Sequence, residues 1–132
     1  MSTPKAPKVV LGKRPQFIEA TITATLPDGT VGSIKARYKY RTRTEFGQMI
    51  DQRMAEARTE APAEPADFSV ATMQRQARDA NAAYLLDILD GWDLDNDLDI
   101  DTATQLCDEA PGMAQALIDG YRMAVTEGRL GN

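Results

Sequence analysis

"FIEATITATLPDGTVGSIKARYKY", residues 17–40, decides the fold. Both flanks of Pro27-Asp28-Gly29 alternate with period two and are rich in β-branched side chains, the pattern of half-buried strands. Ile18, Ala20, Ile22, Ala24 and Leu26 share one face of the first strand. Ile34, Ala36, Tyr38 and Tyr40 share one face of the second. Asp28-Gly29 supplies the tight turn, because glycine tolerates positive φ. The spacing predicts a β-hairpin over 17–41. A hairpin alone is marginally stable in water, so its apolar face needs a cover.

Only helical patterns are available downstream to supply it. "TRTE", 42–45, fits a capping box with Thr42 as cap and Glu45 reaching back. Phe46, Met49, Ile50, Met54 and Ala57 then recur at helical spacing, which predicts a helix over about 44–58 lying on the hairpin face. Pro62 and Pro65 make "TEAPAEPAD", 59–67, a linker. A longer helix is expected from Ser69 to Asp90, with Met73, Ala77, Ala80, Tyr84 and Ile88 as its stripe, widened by Leu85 and Leu89. Gly91 would follow its end. Asp101 is placed to cap a short helix carrying Ala103, Leu106 and Cys107. Pro111 ends that helix or starts the next. Met113, Leu117, Ile118, Tyr121, Ala124 and Val125 form the last stripe, closed by Gly128. The fold class is α+β, an N-terminal β-hairpin followed by three or four α-helices. Residues 1–16, with Pro4, Pro7 and Pro15, form an extended arm, and 17–132 form one domain whose helical part spans 69–128.

Composition removes most chemistry. The 132 residues contain no histidine and one cysteine, Cys107, which excludes Ser-His-Asp and Cys-His catalysis, the usual zinc sites and an internal disulfide. No phosphate-binding glycine loop is present. An enzyme is therefore not expected, nor any cofactor. No apolar run approaches a membrane span, and the N-terminus has no hydrophobic signal core, so a cytosolic protein is expected. Cys107 lies on an apolar helix face as inert packing.

Charge is divided along the chain. Residues 1–58 carry eleven Lys/Arg against five Asp/Glu, and residues 59–132 carry four against fifteen, so +6 and −11 make the net −5. Such a bipolar chain suits a charged partner or a second copy of itself.

Two stretches stand out as candidate surfaces. In "GWDLDNDLDIDT", 91–102, aspartates occupy positions 93, 95, 97, 99 and 101. No register places a glycine sixth and a glutamate twelfth, as a calcium-binding EF-hand loop requires. The stretch is read as an acidic connector whose last aspartates cap a helix, with Leu94, Leu98 and Ile100 tucked toward the core. Lys35, Arg37, Lys39, Arg41 and Arg43 repeat every second residue along "KARYKYRTR". If the strand continues, they project from one face. That face is read as solvated, with phosphate tracking by a nucleic-acid-binding module as the alternative. The candidate partner contacts are Trp92, Asp93, Asp95 and Asp97 on one side, and Arg37, Lys39 and Arg41 on the other. Head-to-tail pairing of these two surfaces would link copies into a homo-oligomer. Trp92 itself is core on one reading and a binding hot spot on the other.

Three segments carry a resemblance. They are "LGKRP…ATLPDGTVGSIKARYKYRTRTEFG", "LLDILDGWDLD" and "TATQLCDEAPGMAQALIDGYRMAVTEGRLGN". Together they resemble the phage tail assembly chaperones of long-tailed bacteriophages over most of the chain. The resemblance implies a non-enzymatic protein that binds the tape-measure protein, keeps it soluble and presents it to the tail-tube protein. It implies action in the host bacterial cytoplasm and absence from the finished virion. Many members are made in short and frameshifted long forms. A structural tail or head-completion protein is the remaining alternative. The resemblance brings no residue-level site.

Overall fold

The computed structural model describes residues 6–60 and 69–129. The hairpin is present as strands β1 (Phe17–Thr25) and β2 (Val31–Lys39), paired antiparallel with Ile22 opposite Ile34. Its turn is a three-residue loop. The Gly29 N–H donates to the Leu26 carbonyl at 2.9 Å, the Leu26 N–H donates to the Thr30 carbonyl at 2.7 Å, and Gly29 takes φ of 89°. Gly29 thus fills the left-handed position that closes such loops. Asp28 locks the corner by accepting the Thr30 N–H at 3.0 Å and the Thr30 hydroxyl at 2.6 Å. These bonds hold its carboxyl below the usual range, the hydroxyl contributing most.

After the hairpin come α1 (Arg43–Glu60), α2 (Val70–Ile88), a short strand β3 (Leu89–Trp92), α3 (Ile100–Glu109) and α4 (Pro111–Glu127). The class is α+β, as the sequence predicts, but the sheet has three strands in the order β1-β2-β3. The expected helix to Asp90 stops two residues early. Leu89 caps it with extended backbone and sends its N–H to the Leu85 carbonyl. Leu89–Trp92 then pairs with β2, where Gly91 faces Arg37 and Leu89 faces Tyr38, leaving Asp90 as a bulge. A third strand satisfies backbone groups along the far edge of β2 and turns a marginal hairpin into a supported sheet.

The cover of the sheet also differs from expectation. The last helix, α4, lies across the inner face, whereas the first helix leans on α4. Small residues set this choice. Gly120 sits so close to the sheet that a Cβ there would lie 2.7 Å from Ile22 Cδ1 and 3.0 Å from the Tyr38 hydroxyl. Tyr38 is fully buried and donates its hydroxyl to the Leu117 carbonyl at 2.8 Å. Met113, Ala114, Leu117 and Tyr121 complete the buried face of α4. α1 instead contributes Met49 and the Phe46 ring, 5.8 Å from the Tyr121 ring. Its capping box forms as predicted, Thr42 N–H to Glu45 at 2.9 Å and Glu45 N–H to Thr42 at 3.1 Å.

Two further boundaries and one burial expectation need correction. α1 runs on through Glu60, so the expected linker does not begin at 59, and positions 61–67 of it lie outside the described residues. The cap of α3 is Asp99, not Asp101. Asp99 accepts the Thr102 N–H while the Thr102 hydroxyl accepts the Asp99 N–H. Of the apolar residues expected to tuck in from the acidic loop, Leu98 packs on the core, while Leu94 and Ile100 stay exposed. Pro111 opens α4, and Gly128 ends it with φ of 70°, as its position suggests. Cys107 is buried on α3, and burial pushes its thiol up to about 11.

Candidate partner-binding surface

Strand alternation places Lys35, Arg37 and Lys39 on the exposed outer face of β2. The basic row ends there. β2 stops at Lys39, and Arg43 already belongs to α1. Arg41 turns inward. Its guanidinium meets the Asp87 carboxylate at 3.1 Å, the Asp87 carbonyl at 3.1 Å and the Tyr121 hydroxyl at 3.0 Å. It ties the end of β2 to α2 and α4, so it is a structural clamp, not an outward contact. Arg37 pairs with Asp90 at 3.5 Å and lies 5.2 Å above the Phe17 ring. Lys39 donates to the Leu86 carbonyl at 3.3 Å. Two of the three outward cations are therefore held against the molecule's own surface.

The acidic loop is likewise engaged one residue at a time. The bulge at Asp90 turns Trp92 toward the core, where its ring is half-buried and its indole N–H donates to the Asn96 carbonyl at 2.7 Å. Asp93 accepts the Lys35 N–H at 2.8 Å, extending the sheet past the end of β3. The Asp97 carbonyl accepts the Thr102 hydroxyl at 2.6 Å. Asp95 and Asp97 point their carboxylates to solvent. The two candidate surfaces thus lie side by side in one molecule. Between them is an open depression of about 380 Å³, bordered by Glu19, Thr21, Lys35, Arg37, Gly91 and Asp93. Its mixed charges and open shape suit a surface contact better than a small ligand.

A further surface escaped the sequence reading. The expected core stripe of α2 is Met73, Ala77, Ala80, Tyr84 and Ile88, widened by Leu85 and Leu89. Leu85, Ile88 and Leu89 are buried as expected, with Ala82 beside them, but Met73, Ala77 and Ala80 are exposed and Tyr84 is half-buried, because the buried line lies roughly a quarter turn round the helix. Residues 70–77 are exposed throughout, with Val70 at 60% and Met73 at 45%. Only the far end of the stripe is covered. Arg53 of α1 lies 4.7 Å above the Tyr84 ring, donates to the Ala80 carbonyl at 3.1 Å and pairs with Asp87 at 3.4 Å. Met54, on the adjoining stretch of α1, is 53% exposed. A signal was present in the sequence, since α2 carries two apolar lines and one body can bury only one.

A family model described as phage tail assembly chaperone matches residues 5–132. No curated protein matches the chain, and no solved structure does.

Proposed function

The chain belongs to the phage tail assembly chaperone family, and from that premise we propose that it binds the tape-measure protein, keeps it soluble and helps recruit tail-tube subunits. A role in tail assembly follows from family membership; the client and the recruitment step are the proposal. One observation carries it: the exposed apolar stripe of Val70, Met73, Ala77 and Ala80 on α2. A tape measure is long, helical and prone to aggregate. An amphipathic helix docks its apolar face on such a stripe at intervals of three and four residues. Methionine suits the task because its flexible thioether adapts to differing side chains. Charged residues elsewhere on the surface keep the loaded complex dispersed. On this reading the protein is a non-enzymatic chaperone working in the host cytoplasm and absent from the virion.

Co-expression with the tape-measure protein of the same phage tests the proposal. The expected result is soluble tape measure that co-purifies with this chain and precipitates without it. Insoluble tape measure with no association would reject the client. Peptides of this chain in purified virions would instead support the structural tail-protein reading.

A further inference from the structure

We propose that the outer edge of β1, over residues 17–21, takes up an extended segment of a partner protein in which apolar and basic residues alternate, as a fourth strand of the sheet. β1 is an edge strand, since the order is β1-β2-β3. The Leu26 N–H donates to the Thr30 carbonyl and the Tyr40 N–H to the Gln16 carbonyl. Bonded pairs alternate along an antiparallel ladder, so the even-numbered residues of β1 bond to β2. Phe17, Glu19 and Thr21 therefore aim their N–H and carbonyl groups away from the sheet. Among the described residues, none pairs with the backbone of Glu19 or Thr21 on that side. The usual guards of an edge are missing: the nine residues hold no proline, no lysine and no bulge. What such an edge accepts is another extended backbone.

The side chains state which one. On the inner face, Ile18 and Ala20 are only half-buried, so an added strand would place apolar side chains beside them. A Cβ on Gly112 would lie 3.6 Å from the Thr25 carbonyl oxygen, and one on Gly120 2.7 Å from Ile22 Cδ1. α4 thus runs antiparallel to β1. The next turns of that helix face carry Met123, half-buried, and Glu127, exposed, toward the start of β1. On the outer face stands Glu19, exposed. Arg37 faces it across the ladder but turns to Asp90 instead. Neither Glu19 nor Glu127 forms an ion pair among the described residues. A lysine or arginine on the added strand, directly opposite Glu19, completes the charge. A second copy would instead bring its own Glu19 to this acidic edge. The inference goes beyond the client docking proposed above, because β1 and the exposed stripe of α2 are separate surfaces.

Fluorescence anisotropy on the full chain at low salt tests it, with three labelled peptides. One alternates valine with lysine, one alternates valine with glutamate, and one is the valine–lysine peptide with a central proline. Only the first should bind, at up to about 1 mM peptide, and it should shift the amide NMR signals of Glu19 and Thr21 most. Thr21→Pro keeps the ladder to β2, because the N–H it removes points outward. It should weaken the peptide by on the order of tenfold or more. Glu19→Lys should weaken it by roughly three- to tenfold and admit the valine–glutamate peptide. Unchanged circular dichroism spectra check that both variants fold. No binding at up to about 1 mM would overturn the proposal, as would binding indifferent to both substitutions. Light scattering of the protein alone covers the other occupant: a dimer abolished by Thr21→Pro would give the edge to a second copy and reject the partner. Tape-measure co-purification is read separately, so either proposal can fail without the other.

Discussion

The two halves of α2 are built from similar residues and meet opposite fates. Ala82, Leu85 and Ile88 in the second half are fully buried, whereas residues 70–77 in the first half are exposed, Met73 among them. Apolar content does not separate them. What separates them is what stands opposite: α3, α4 and β3 pack on α2, whose buried residues all lie in the second half, while toward the first half the side chain of Arg53 lies over Tyr84 and reaches the Ala80 carbonyl. The same division runs through the whole molecule. The sheet, α3, α4 and the end of α2 form the core. α1 and the start of α2 form an outlying part, joined to the core by Met49 and Phe46 of α1 and by a polar clamp in which Arg41 and Arg53 share Asp87. Burial thus marks where the fold is held together, and the exposed apolar stripe is the surface that the proposed client would cover.

Stability measurements can break this comparison. Leu85→Ala should cost about 2–5 kcal/mol, because it leaves a cavity in a closed site. Met73→Ala in the same helix should change stability by less than about 0.5 kcal/mol. Chemical denaturation of both variants compares them directly, and equal losses would mean that the first half of α2 is packed after all. A smaller effect is expected inside the core. Gly120→Val places carbons where Ile22 and the Tyr38 hydroxyl already lie, and overpacking of this kind costs about 1–3 kcal/mol. A thermal melt unchanged by Gly120→Val would show that α4 does not approach the sheet so closely.

The smallest effect belongs to the outlying part. Hydrogen bonds from Thr42, its backbone N–H first, and the nearby Arg14 hold the Glu45 carboxyl below its ordinary value of 4.5. A carboxyl depressed in the folded state contributes stability above its unfolded value and loses it as pH falls through its folded value. Wild type should therefore lose a small increment of stability as pH drops below about 4.5, and Glu45→Gln should lack that increment. Denaturation midpoints between pH 6 and pH 3, compared for the two proteins, measure the difference. Identical pH profiles would detach Glu45 from the docking of α1.

Most local signals were legible, the cap of α3 at Asp99 being an exception. The hairpin and its register follow from period two and Gly29. The α1 cap follows from Thr42 and Glu45, and the limits of α4 from Pro111 and Gly128. Each rests on contacts within a few residues, where side-chain type and backbone preference suffice. Of the candidate surface, the outward positions of Arg37 and Lys39 were legible from strand alternation. The inward turn of Arg41 was not, whereas Trp92 packs on the core as one of its two readings had it.

What the chain's sequence determined by itself is therefore its elements and their apolar faces. Only the tertiary structure decided that Leu89–Trp92 becomes a strand, that α4 covers the sheet in place of α1, and which line of α2 is buried. The bonds that settle these choices are long-range. Asp93 reaches Lys35 across 58 positions, and Tyr121 reaches the Lys39 carbonyl across 82. Each is a competition among several faces of comparable hydrophobicity. Closeness of fit decides it, and a glycine at 120 that admits Ile22 and Tyr38 acts only once those residues have been brought to it.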